Sequence, residues 1–401
     1  MPEDQVKAQP FEITIPQKAL DDLHQRLVQT SFPDEIVGSG WSYGSNLGYI
    51  KELVRYWRTE FDWRRREEWL NSFAHFRTTI DGIGIHFLHE RGKGPMPMPL
   101  VLTNGWPSSF VELLKIVPQL ADPALYGGDP ADAFDVIVPS LPGFGFSDRP
   151  AEPGMTTDRM ASIWSKLMSE VLNYSRFGAH GTDLGGGVTS ALGRFYSQQV
   201  IGIHLDFPSL ILEVPDLSEK EQAYMAGFGR WFGEEGGYAH VQQTRPQTLA
   251  YGLTDSPVGL AAWIVEKFRA WTDCGGEIEQ RFSKDELLTN ISLYWFTQTI
   301  NSSMRLYYEN AHAPRMSLRP GERVEVPAAV ALWGHRENPL QSPSQEFAER
   351  AYNVQRWIKM PRGGHFPAME EPELLVEDIR AFFRPLRKQI IKESGSSELI
   401  A

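Results

Sequence analysis

The sequence has little of what marks several classes of protein. Its one cysteine, Cys274, cannot form a disulfide within the chain or build a metal site from thiolates. No stretch comes close to the roughly 18 apolar residues that a membrane-spanning helix needs. The start of the chain also lacks the basic segment and apolar run of a secretion signal. A net charge of −12 gives no basic surface for nucleic acid or anionic lipid, so a soluble, cytoplasmic protein is expected.

The length of 401 residues favours a main domain with a second layer over one compact core. The first 75 residues are helical and aromatic-rich, and two apolar runs then flank Asp81-Gly82, a strong hairpin-turn signal. The predicted divisions are an N-terminal meander with leading antiparallel strands at 1–95, a first core part at 96–212, a helical cap at 213–317, a second core part at 318–387 and a flexible tail at 388–401.

From about residue 98, short buried strands alternate with helices, which predicts a mostly parallel sheet with helices on both faces. Candidate helices replace this alternation in the predicted cap. The last of them, over Lys284–Tyr308, follows Ser283 in a capping box. Strands then return before a closing helix, predicted from Glu371 to about Arg384. The sequence thus predicts an α/β core interrupted by an inserted helical cap.

The central motif is Gly181-Thr-Asp183-Leu-Gly185, which follows an apolar strand and precedes a predicted helix. Hydrolases often carry serine in the middle of such a turn, which lifts the side chain above the carboxyl edge of the sheet. A serine that attacked saturated carbon would leave an ether, whereas Asp183 would leave an ester that water can hydrolyse. Asp183 therefore indicates attack on an epoxide or an alkyl halide. The alternative is a glycine-rich strand end with a solvated or helix-capping aspartate.

A second motif, Asn-Gly-Trp-Pro around Trp106, also follows a predicted strand. The backbone N–H groups of Trp106 and Leu184 are expected to bind the carbonyl oxygen of Asp183. They would stabilise the oxyanion that forms when the ester is hydrolysed. Trp106 and Pro107, together with Phe366 farther along the chain, are expected to line the substrate pocket. Taken alone, Gly-Trp-Pro would indicate only a turn.

His365 lies in the loop Arg-Gly-Gly-His-Phe-Pro, between a predicted strand and the last helix. From there it can reach the turn that carries Asp183 and act as the general base that activates water. Glu337 follows another predicted strand upstream and is expected to orient the imidazole, in the nucleophile, acid, histidine order of hydrolases. Each of the two could otherwise be an ordinary polar surface residue. Glu370 and Glu371 are assigned to the start of the last helix, where acidic side chains suit the helix dipole.

Two other candidate nucleophiles are weaker. Ser42 lies in Gly40-Trp-Ser-Tyr-Gly44, which matches the serine-elbow pattern formally. It precedes any recognisable strand, however, and no oxyanion loop comes before it. Cys274 lies in a polar stretch without a strand-to-turn context. Both are expected to be noncatalytic.

Taken together, the motifs resemble epoxide hydrolases of the α/β-hydrolase fold, in the branch that includes the microsomal and juvenile-hormone enzymes. The resemblance spans nearly the whole chain. It rests on these segments: Trp41-Ser-Tyr-Gly, Gly105-Trp-Pro-Ser-Ser-Phe, Pro142-Gly-Phe-Gly-Phe-Ser, His180-Gly-Thr-Asp-Leu-Gly-Gly, Asp255-Ser-Pro-Val-Gly-Leu-Ala-Ala and Arg362-Gly-Gly-His-Phe-Pro-Ala-Met-Glu-Glu-Pro-Glu. It implies an α/β-hydrolase core with an inserted helical cap and an N-terminal meander.

The resemblance also implies two cap tyrosines that donate hydrogen bonds to the epoxide oxygen. These would be Tyr238 and Tyr307, with Tyr308 as the alternative if the register is off by one. The family's oxyanion motif usually begins with histidine, where this chain has Asn104. Activity is expected to survive this change, because the important contacts come from the backbone. Membrane enzymes of the branch carry an N-terminal anchor, and this sequence shows none, which suggests a soluble member.

The predicted reaction converts an epoxide and water to a vicinal diol through an Asp183 ester that His365-activated water hydrolyses, without a metal or organic cofactor. A dehalogenase would share these residues but needs halide-binding donors, and Leu184 rather than tryptophan follows Asp183. A binding protein that kept the fold without turnover is the third alternative. The aromatic-rich cap suggests an apolar or aromatic epoxide, and no nucleic-acid partner is expected. The oligomeric state stays open, with a homodimer among the alternatives.

Overall fold

One sheet organises the computed structural model, which describes residues 7–208, 216–313, 318, 321–334 and 343–397, with side chains to residue 387. In these described ranges the strands are β1 (Gln9–Pro10), β2 (His75–Ile80), β3 (Ile83–Glu90), β4 (Met98–Thr103), β5 (Phe134–Pro139), β6 (Phe177–Gly181), β7 (Val200–Leu205), β8 (Val324–Leu332) and β9 (Tyr352–Lys359). Their order is β1-β2-β3-β5-β4-β6-β7-β8-β9. The pairs from β1 to β5 are antiparallel and those from β5 to β9 are parallel, so the sheet is mostly parallel.

Helices lie between the strands of the sheet, after its last strand and in a long insertion between β7 and β8. They are α1 (Gln17–Val28), α2 (Leu47–Thr59), α3 (Trp63–Leu70), α4 (Val117–Ala121), α5 (Thr157–Lys166), α6 (Leu184–Phe195), α7 (Glu219–Glu235), α8 (Gly237–Thr244), α9 (Pro246–Asp255), α10 (Pro257–Trp271), α11 (Lys284–Thr297), α12 (Ile300–His312), α13 (Gln345–Glu349), α14 (Pro367–Glu370) and α15 (Pro372–Ser397). Short 3₁₀ turns follow at Phe110–Leu113, Pro123–Tyr126, Pro130–Asp132 and Ile278–Gln280, and a π turn at Leu167–Val171 extends α5.

The central strands bury side chains on both faces of the sheet. Val101 and Ile137 belong to the core that α5 and α6 cover, whereas Leu100 and Leu102 belong to the core that α4 and α15 cover. Successive side chains of a strand point to opposite faces, so a strand that is covered twice is a continuous apolar run. This arrangement confirms the predicted α/β class, with helices on both faces of a mostly parallel sheet.

The predicted hairpin turn at Asp81-Gly82 is also confirmed. Ile80 of β2 pairs with Ile83 of β3, which leaves two residues in the turn. Their φ angles are 50° for Asp81 and 80° for Gly82. A turn with two positive φ angles matches the twist of antiparallel strands, and asparagine, aspartate and glycine adopt it most easily.

Helices α7 to α12 form the insertion, and one of its predicted helices was wrong. The apolar pattern over Lys284–Tyr308 indicated a single helix, but α11 ends at Thr297 and α12 begins at Ile300. Gln298 separates them because its φ of 54° lies in the left-handed region, which ends a helix. The spacing of apolar residues does not reveal a break that depends on the backbone angle of a single residue. The capping box before α11 is confirmed.

The N-terminal helices lie against the inserted cap helices. The Trp57 indole N–H donates to Ser292 Oγ at 3.1 Å, and Arg66 Nε–H donates to Thr289 Oγ1 at 2.9 Å. Both acceptors belong to α11. The N-terminal segment therefore ties one of the cap helices to the rest of the chain.

The last helix, α15, is longer than predicted. The apolar pattern ended at about Arg384, but the helix runs on to Ser397. It continues past Pro385, and beyond that residue Arg387 still packs on the core, where its guanidinium donates to Ala133 O at 2.9 Å. Neither α15 nor any other helix in the described part of the chain has the length and apolar character needed to cross a membrane.

Candidate active site

Asp183 lies in the tight turn between β6 and α6, at the carboxyl edge of the sheet. Its φ of 49° is in the left-handed region, where a residue other than glycine is strained. A Cβ on Gly185 would lie 2.1 Å from Thr103 O, and one on Gly105 would lie 2.2 Å from Asp183 Oδ1. Only glycine fits at these two positions, so the turn holds the carboxylate close against neighbouring backbone.

The loop after β4 meets this turn because β4 and β6 are neighbours in the sheet. The Trp106 N–H donates to Asp183 Oδ1 at 2.9 Å, which is the contact expected of the oxyanion loop. Leu184, the second predicted donor, is the first residue of α6, and its contribution stays a prediction. Asn104 is buried, and its amide donates to Gly105 O at 2.9 Å. The loop therefore binds one carboxylate oxygen and leaves Oδ2 free of that contact.

Cap side chains hold the loop that carries Trp106. The Asn290 amide donates to Pro107 O at 2.8 Å, and the Tyr294 hydroxyl donates to Ser108 O at 2.7 Å. Both donors belong to α11, whereas both acceptors belong to the core. The position of the cap is therefore coupled to that of the oxyanion loop.

His365 follows β9 and reaches the other oxygen of the nucleophile candidate. Its Nε2 lies 3.4 Å from Asp183 Oδ2. Its backbone N–H donates to Trp271 O at 2.8 Å, and its ring lies 4.8 Å from the Trp271 indole. The structure thus brings the predicted base and nucleophile together and places a cap residue beside them.

Two opposing effects set the ionisation of His365. Burial disfavours the charged imidazolium, but the hydrogen-bonding contact with Asp183 and its negative charge favour it more. The pKa of His365 therefore lies above its ordinary value. The side chain keeps 31% of its surface accessible, against 18% for Asp183, but Nε2 itself is buried beside the carboxylate.

A buried carboxylate holds the loop around His365. Glu370 accepts the backbone N–H groups of Gly364 at 2.8 Å and Phe366 at 2.9 Å, the two neighbours of His365. It also accepts the N–H of Asp273, at 3.0 Å, from the segment that follows α10. Burial raises the pKa of Glu370. One carboxylate thus joins the loop of the base to the cap.

Glu371 extends this connection with ion pairs. It contacts Arg281 of the cap and Arg362 of the histidine loop, both at 2.8 Å. The prediction that Glu370 and Glu371 belong to the start of the last helix was wrong for Glu370, which ends α14. Glu371 does stand at that start, because it directly precedes α15 and its carbonyl accepts the Leu375 N–H. The partners in the histidine loop are close in the sequence, whereas Asp273 and Arg281, which connect the pair to the cap, are about 90 residues or more away.

Glu337, the predicted acid, lies outside the described residues, and its role stays a prediction. Sequence reasoning missed two carboxyl groups that lie close enough to His365 to interact with its charge. Glu112 lies in the turn after the oxyanion loop, and burial raises its pKa to about 8. Asp206 follows β7 and accepts the Trp333 indole N–H at 3.2 Å; burial raises its pKa to about 7.

The two predicted cap tyrosines meet Trp106 in one aromatic cluster. Tyr238 of α8 stacks on Trp106 with ring centroids 5.3 Å apart, and Tyr307 of α12 meets the same indole edge-on at 5.9 Å. The two phenol rings are 6.0 Å apart. Tyr307 is 8% exposed and Tyr308 is 37% exposed. The geometry therefore favours Tyr307 over Tyr308 as the second cap tyrosine.

Both phenols are protonated at neutral pH. Burial raises the pKa of Tyr238 and of Tyr307, and the negative charge of Asp183 raises both further. Each phenol therefore carries a proton that it can donate to a substrate.

The residues predicted to line the pocket lie in an aromatic environment. Trp106 is buried, and Trp271 of α10 lies 6.5 Å from it, measured between ring centroids. Phe366 stacks on Phe268 at 4.2 Å and therefore supports His365 from behind. Its place in the substrate pocket stays a prediction.

The two weaker nucleophile candidates lie in unsuitable surroundings. Ser42 is on an exposed turn before α2, not at a strand-to-helix elbow. Cys274 is buried, and its thiol donates to Arg269 O at 3.6 Å. Burial raises the pKa of the Cys274 thiol, which disfavours the reactive thiolate.

One group in the described part of the chain could offer three metal ligands. Ligand atoms of His180, His204 and Asp206 lie within 4.8 Å of one another. The two Nδ1 atoms contact each other at 3.0 Å, and His204 Nε2 contacts Asp378 Oδ2 at 2.9 Å. The imidazoles are thus engaged in a buried hydrogen-bond chain rather than directed at a common point.

Known proteins resemble the chain along most of its length. A family described as "Epoxide hydrolase N terminus" matches residues 8–113, and one described as "alpha/beta hydrolase fold" matches residues 98–247. A Stigmatella aurantiaca protein, provisionally named an epoxide hydrolase, is 45% identical over 94% of this chain and 85% of its own. Epoxide hydrolase 1 of Sus scrofa is 36% identical over 95% of this chain and 89% of its own. The crystal structure of juvenile hormone epoxide hydrolase from the silkworm Bombyx mori covers 96% of this chain and 95% of that chain, with a TM-score of 0.82 and 32% identity.

Proposed function

The chain belongs to the epoxide hydrolase family of the α/β-hydrolase fold, and on that basis we propose that it converts an epoxide and water to a vicinal diol through an ester on Asp183. The observation that carries this mechanism is the environment of the Asp183 carboxylate. One oxygen accepts the Trp106 N–H, and the other lies 3.4 Å from His365 Nε2. Two cap phenols, the buried Tyr307 and the partly buried Tyr238, lie beside the same Trp106 ring.

In the first half-reaction, Asp183 Oδ2 attacks one oxirane carbon. The ester bond forms as the carbon–oxygen bond of the epoxide breaks, and its electron pair passes to the leaving oxygen. Tyr238 and Tyr307 donate hydrogen bonds to this developing alkoxide, and one phenol supplies its proton. Asp183 needs no base for this step, because the carboxylate is itself the nucleophile.

In the second half-reaction, His365 takes a proton from water while the water oxygen attacks the carbonyl carbon of the Asp183 ester. The charge that develops on Oδ1 is stabilised by the N–H groups of Trp106 and Leu184. Collapse of the intermediate releases the diol oxygen, which takes the proton from His365. The second proton of the water passes from the Asp183 carboxyl group to the phenolate, which restores both the carboxylate and the phenol. Glu337 is proposed to stabilise the imidazolium between these steps.

Esterification should lower the pKa of His365. In the free enzyme the raised pKa depends on the negative charge of Asp183, which the ester removes, while the opposing effect of burial remains. The base form should therefore persist to lower pH in the ester than in the free enzyme. The rate of ester hydrolysis, measured by quenched flow, should fall as the pH is lowered. We expect the midpoint of this fall to lie at a lower pH than the midpoint of the His365 titration in the free enzyme, measured by NMR. A fall whose midpoint lies at or above that of the free enzyme would contradict the linkage.

Replacing the cap tyrosines should slow ring opening. Removing one oxyanion donor typically costs on the order of 10²-fold. Because two phenols share the charge here, Tyr238→Phe and Tyr307→Phe should each cost less than the double variant. Tyr308→Phe is the matched control and should stay close to the wild type. A large loss in Tyr308→Phe with an active Tyr307→Phe would show that the register is off by one.

The aromatic cluster around Asp183 favours an apolar or aromatic epoxide. The rings of Trp106, Trp271, Tyr238 and Tyr307 contact one another beside the nucleophile, so the surroundings of a bound substrate are aromatic, with the phenol hydroxyls as donors. A dehalogenase would use the same nucleophile, so the products must be compared. We expect styrene oxide to give a diol and 1-bromohexane to give no bromide, measured by chromatography and ion-selective electrode. Bromide release at a comparable rate, with no diol, would overturn the proposal.

A further inference from the structure

Lys267 is an unusual residue in the cap, because it is a lysine that is only 6% exposed. Lysine is almost never fully buried unless it is paired. Here the ammonium contacts Glu266 Oε2 at 2.5 Å. It also lies over two rings of the aromatic cluster, 4.9 Å from the centroid of Tyr238 and 5.6 Å from that of Trp271.

We propose that Lys267 is a positioning residue that strengthens Tyr238 as a hydrogen-bond donor during epoxide opening. This inference rests on the proposed function, since it assigns Lys267 to one half of that reaction. It also distinguishes Tyr238 from Tyr307, because the ammonium lies over the ring of Tyr238.

The physical reason is the charge that moves onto the phenol. As Tyr238 donates its proton to the developing alkoxide, negative charge grows on its oxygen and ring. A cation over the ring face attracts that charge more strongly than it attracts the neutral ring. The attraction is larger in a buried site than in water, because solvent screens it less. Lys267 therefore stabilises the transition state of ring opening more than the ground state.

Glu266 opposes this effect and supplies a second test. Its negative charge raises the pKa of Tyr238, which makes the phenol a poorer proton donor. The ammonium of Lys267 compensates for that charge at 2.5 Å. Removing Lys267 alone should therefore weaken Tyr238 twice, through the lost cation and the unopposed carboxylate. Removing the charge of Glu266 should instead make Tyr238 a better proton donor.

A structural role for Lys267 would have different consequences. The Trp271 ring lies under the same ammonium, and its backbone carbonyl accepts the His365 N–H. If Lys267 only supported the fold, its loss would move Trp271 and disturb the base. Ester hydrolysis would then slow together with ester formation. The proposal instead predicts that only ester formation slows.

The experiment measures both half-reactions of the full chain with styrene oxide by rapid quench and intact-protein mass spectrometry. Lys267→Met should slow ester formation roughly tenfold and leave ester hydrolysis within about twofold of the wild type. Lys267→Arg, which keeps the charge, should restore most of the rate. Glu266→Gln should form the ester as fast as the wild type or faster. If Lys267→Met does not fold, Lys267→Gln provides the same loss of charge with a polar side chain.

A second arm repeats Lys267→Met in a Tyr238→Phe background. The substitution should have almost no further effect there, because the phenol through which Lys267 acts is gone. Equal losses in both backgrounds, equal losses in both half-reactions, or a Glu266→Gln variant as slow as Lys267→Met would overturn the inference. A wild type that hydrolyses styrene oxide without an Asp183 ester would instead contradict the proposed mechanism, so the two failures are distinct.

Discussion

Asp183→Ala should abolish diol formation from styrene oxide, with a loss on the order of 10⁴-fold or more in turnover. The substitution removes the carboxylate that forms the ester, and a direct attack by water would lack the covalent step that divides the reaction in two. The remaining donors, Trp106 N–H and the cap phenols, cannot replace a nucleophile. Steady-state diol formation measured by chromatography gives the loss, with a melting curve to confirm that the variant is folded.

The controls for this result are the two other candidate nucleophiles. Ser42→Ala changes an exposed turn and should leave turnover close to the wild type. Cys274→Ala removes a thiol whose ionisation is disfavoured by burial, and it should also leave turnover close to the wild type. A folded Asp183→Ala protein with near wild-type turnover, or a complete loss in either control, would mean that another group opens the epoxide.

His365→Gln should stop the reaction after ring opening and trap the ester. Attack of the Asp183 carboxylate on the epoxide needs no base, whereas hydrolysis of the ester needs an activated water. Mixing the variant with styrene oxide should give at most one turnover and a protein heavier by the mass of one substrate molecule. Intact-protein mass spectrometry measures the added mass, and peptide mapping locates it.

The matched control for this variant is His312→Gln, which changes an exposed histidine at the end of α12. It should turn over without accumulating any adduct. Glu337→Gln should slow ester hydrolysis less completely than His365→Gln, because it removes the orienting charge but keeps the base. Many turnovers by His365→Gln would show that His365 is not the base, and an adduct on a residue other than Asp183 would show that the nucleophile is wrong.

The parts of the site that the sequence predicts are those with local chemical signatures. Asp183 was identified because its nucleophile-elbow motif sits between an apolar strand and a helix. His365 and Trp106 were identified in loops that follow strands, and parallel strands bring such loops to one edge of the sheet. The distance of 3.4 Å between His365 Nε2 and Asp183 Oδ2 agrees with that inference.

Other groups could not be identified, because their character depends on what surrounds them. Glu112 and Asp206 are ordinary carboxyl groups in the sequence, and burial, with smaller contributions from nearby carboxylates, raises the pKa of each. Lys267 is one of 39 basic residues, and nothing in its neighbourhood along the chain indicates that it lies over a tyrosine ring. Glu370 is adjacent to the predicted last helix, and the helix dipole alone accounts for an acidic side chain at that place. Its backbone partners appear only in three dimensions.

The cap shows the same limit at the level of secondary structure. The capping box at Ser283 predicted where α11 begins, because its hydrogen bonds are local. The break at Gln298 was missed, because the apolar pattern continues across it. This break is important for the site, since it separates α11, which holds the oxyanion loop through Asn290, from α12, which carries Tyr307.

The central claim is that the hydrolytic water attacks the Asp183 ester rather than the epoxide. A single turnover of the wild-type enzyme with styrene oxide in H₂¹⁸O, with enzyme in excess, tests it directly. The mechanism predicts that ¹⁸O enters the Asp183 carboxylate, seen by mass spectrometry of the peptide that contains it, while the diol from this first turnover carries no label. Label in the diol and none in the Asp183 peptide would contradict the covalent mechanism, because water would then have opened the epoxide itself.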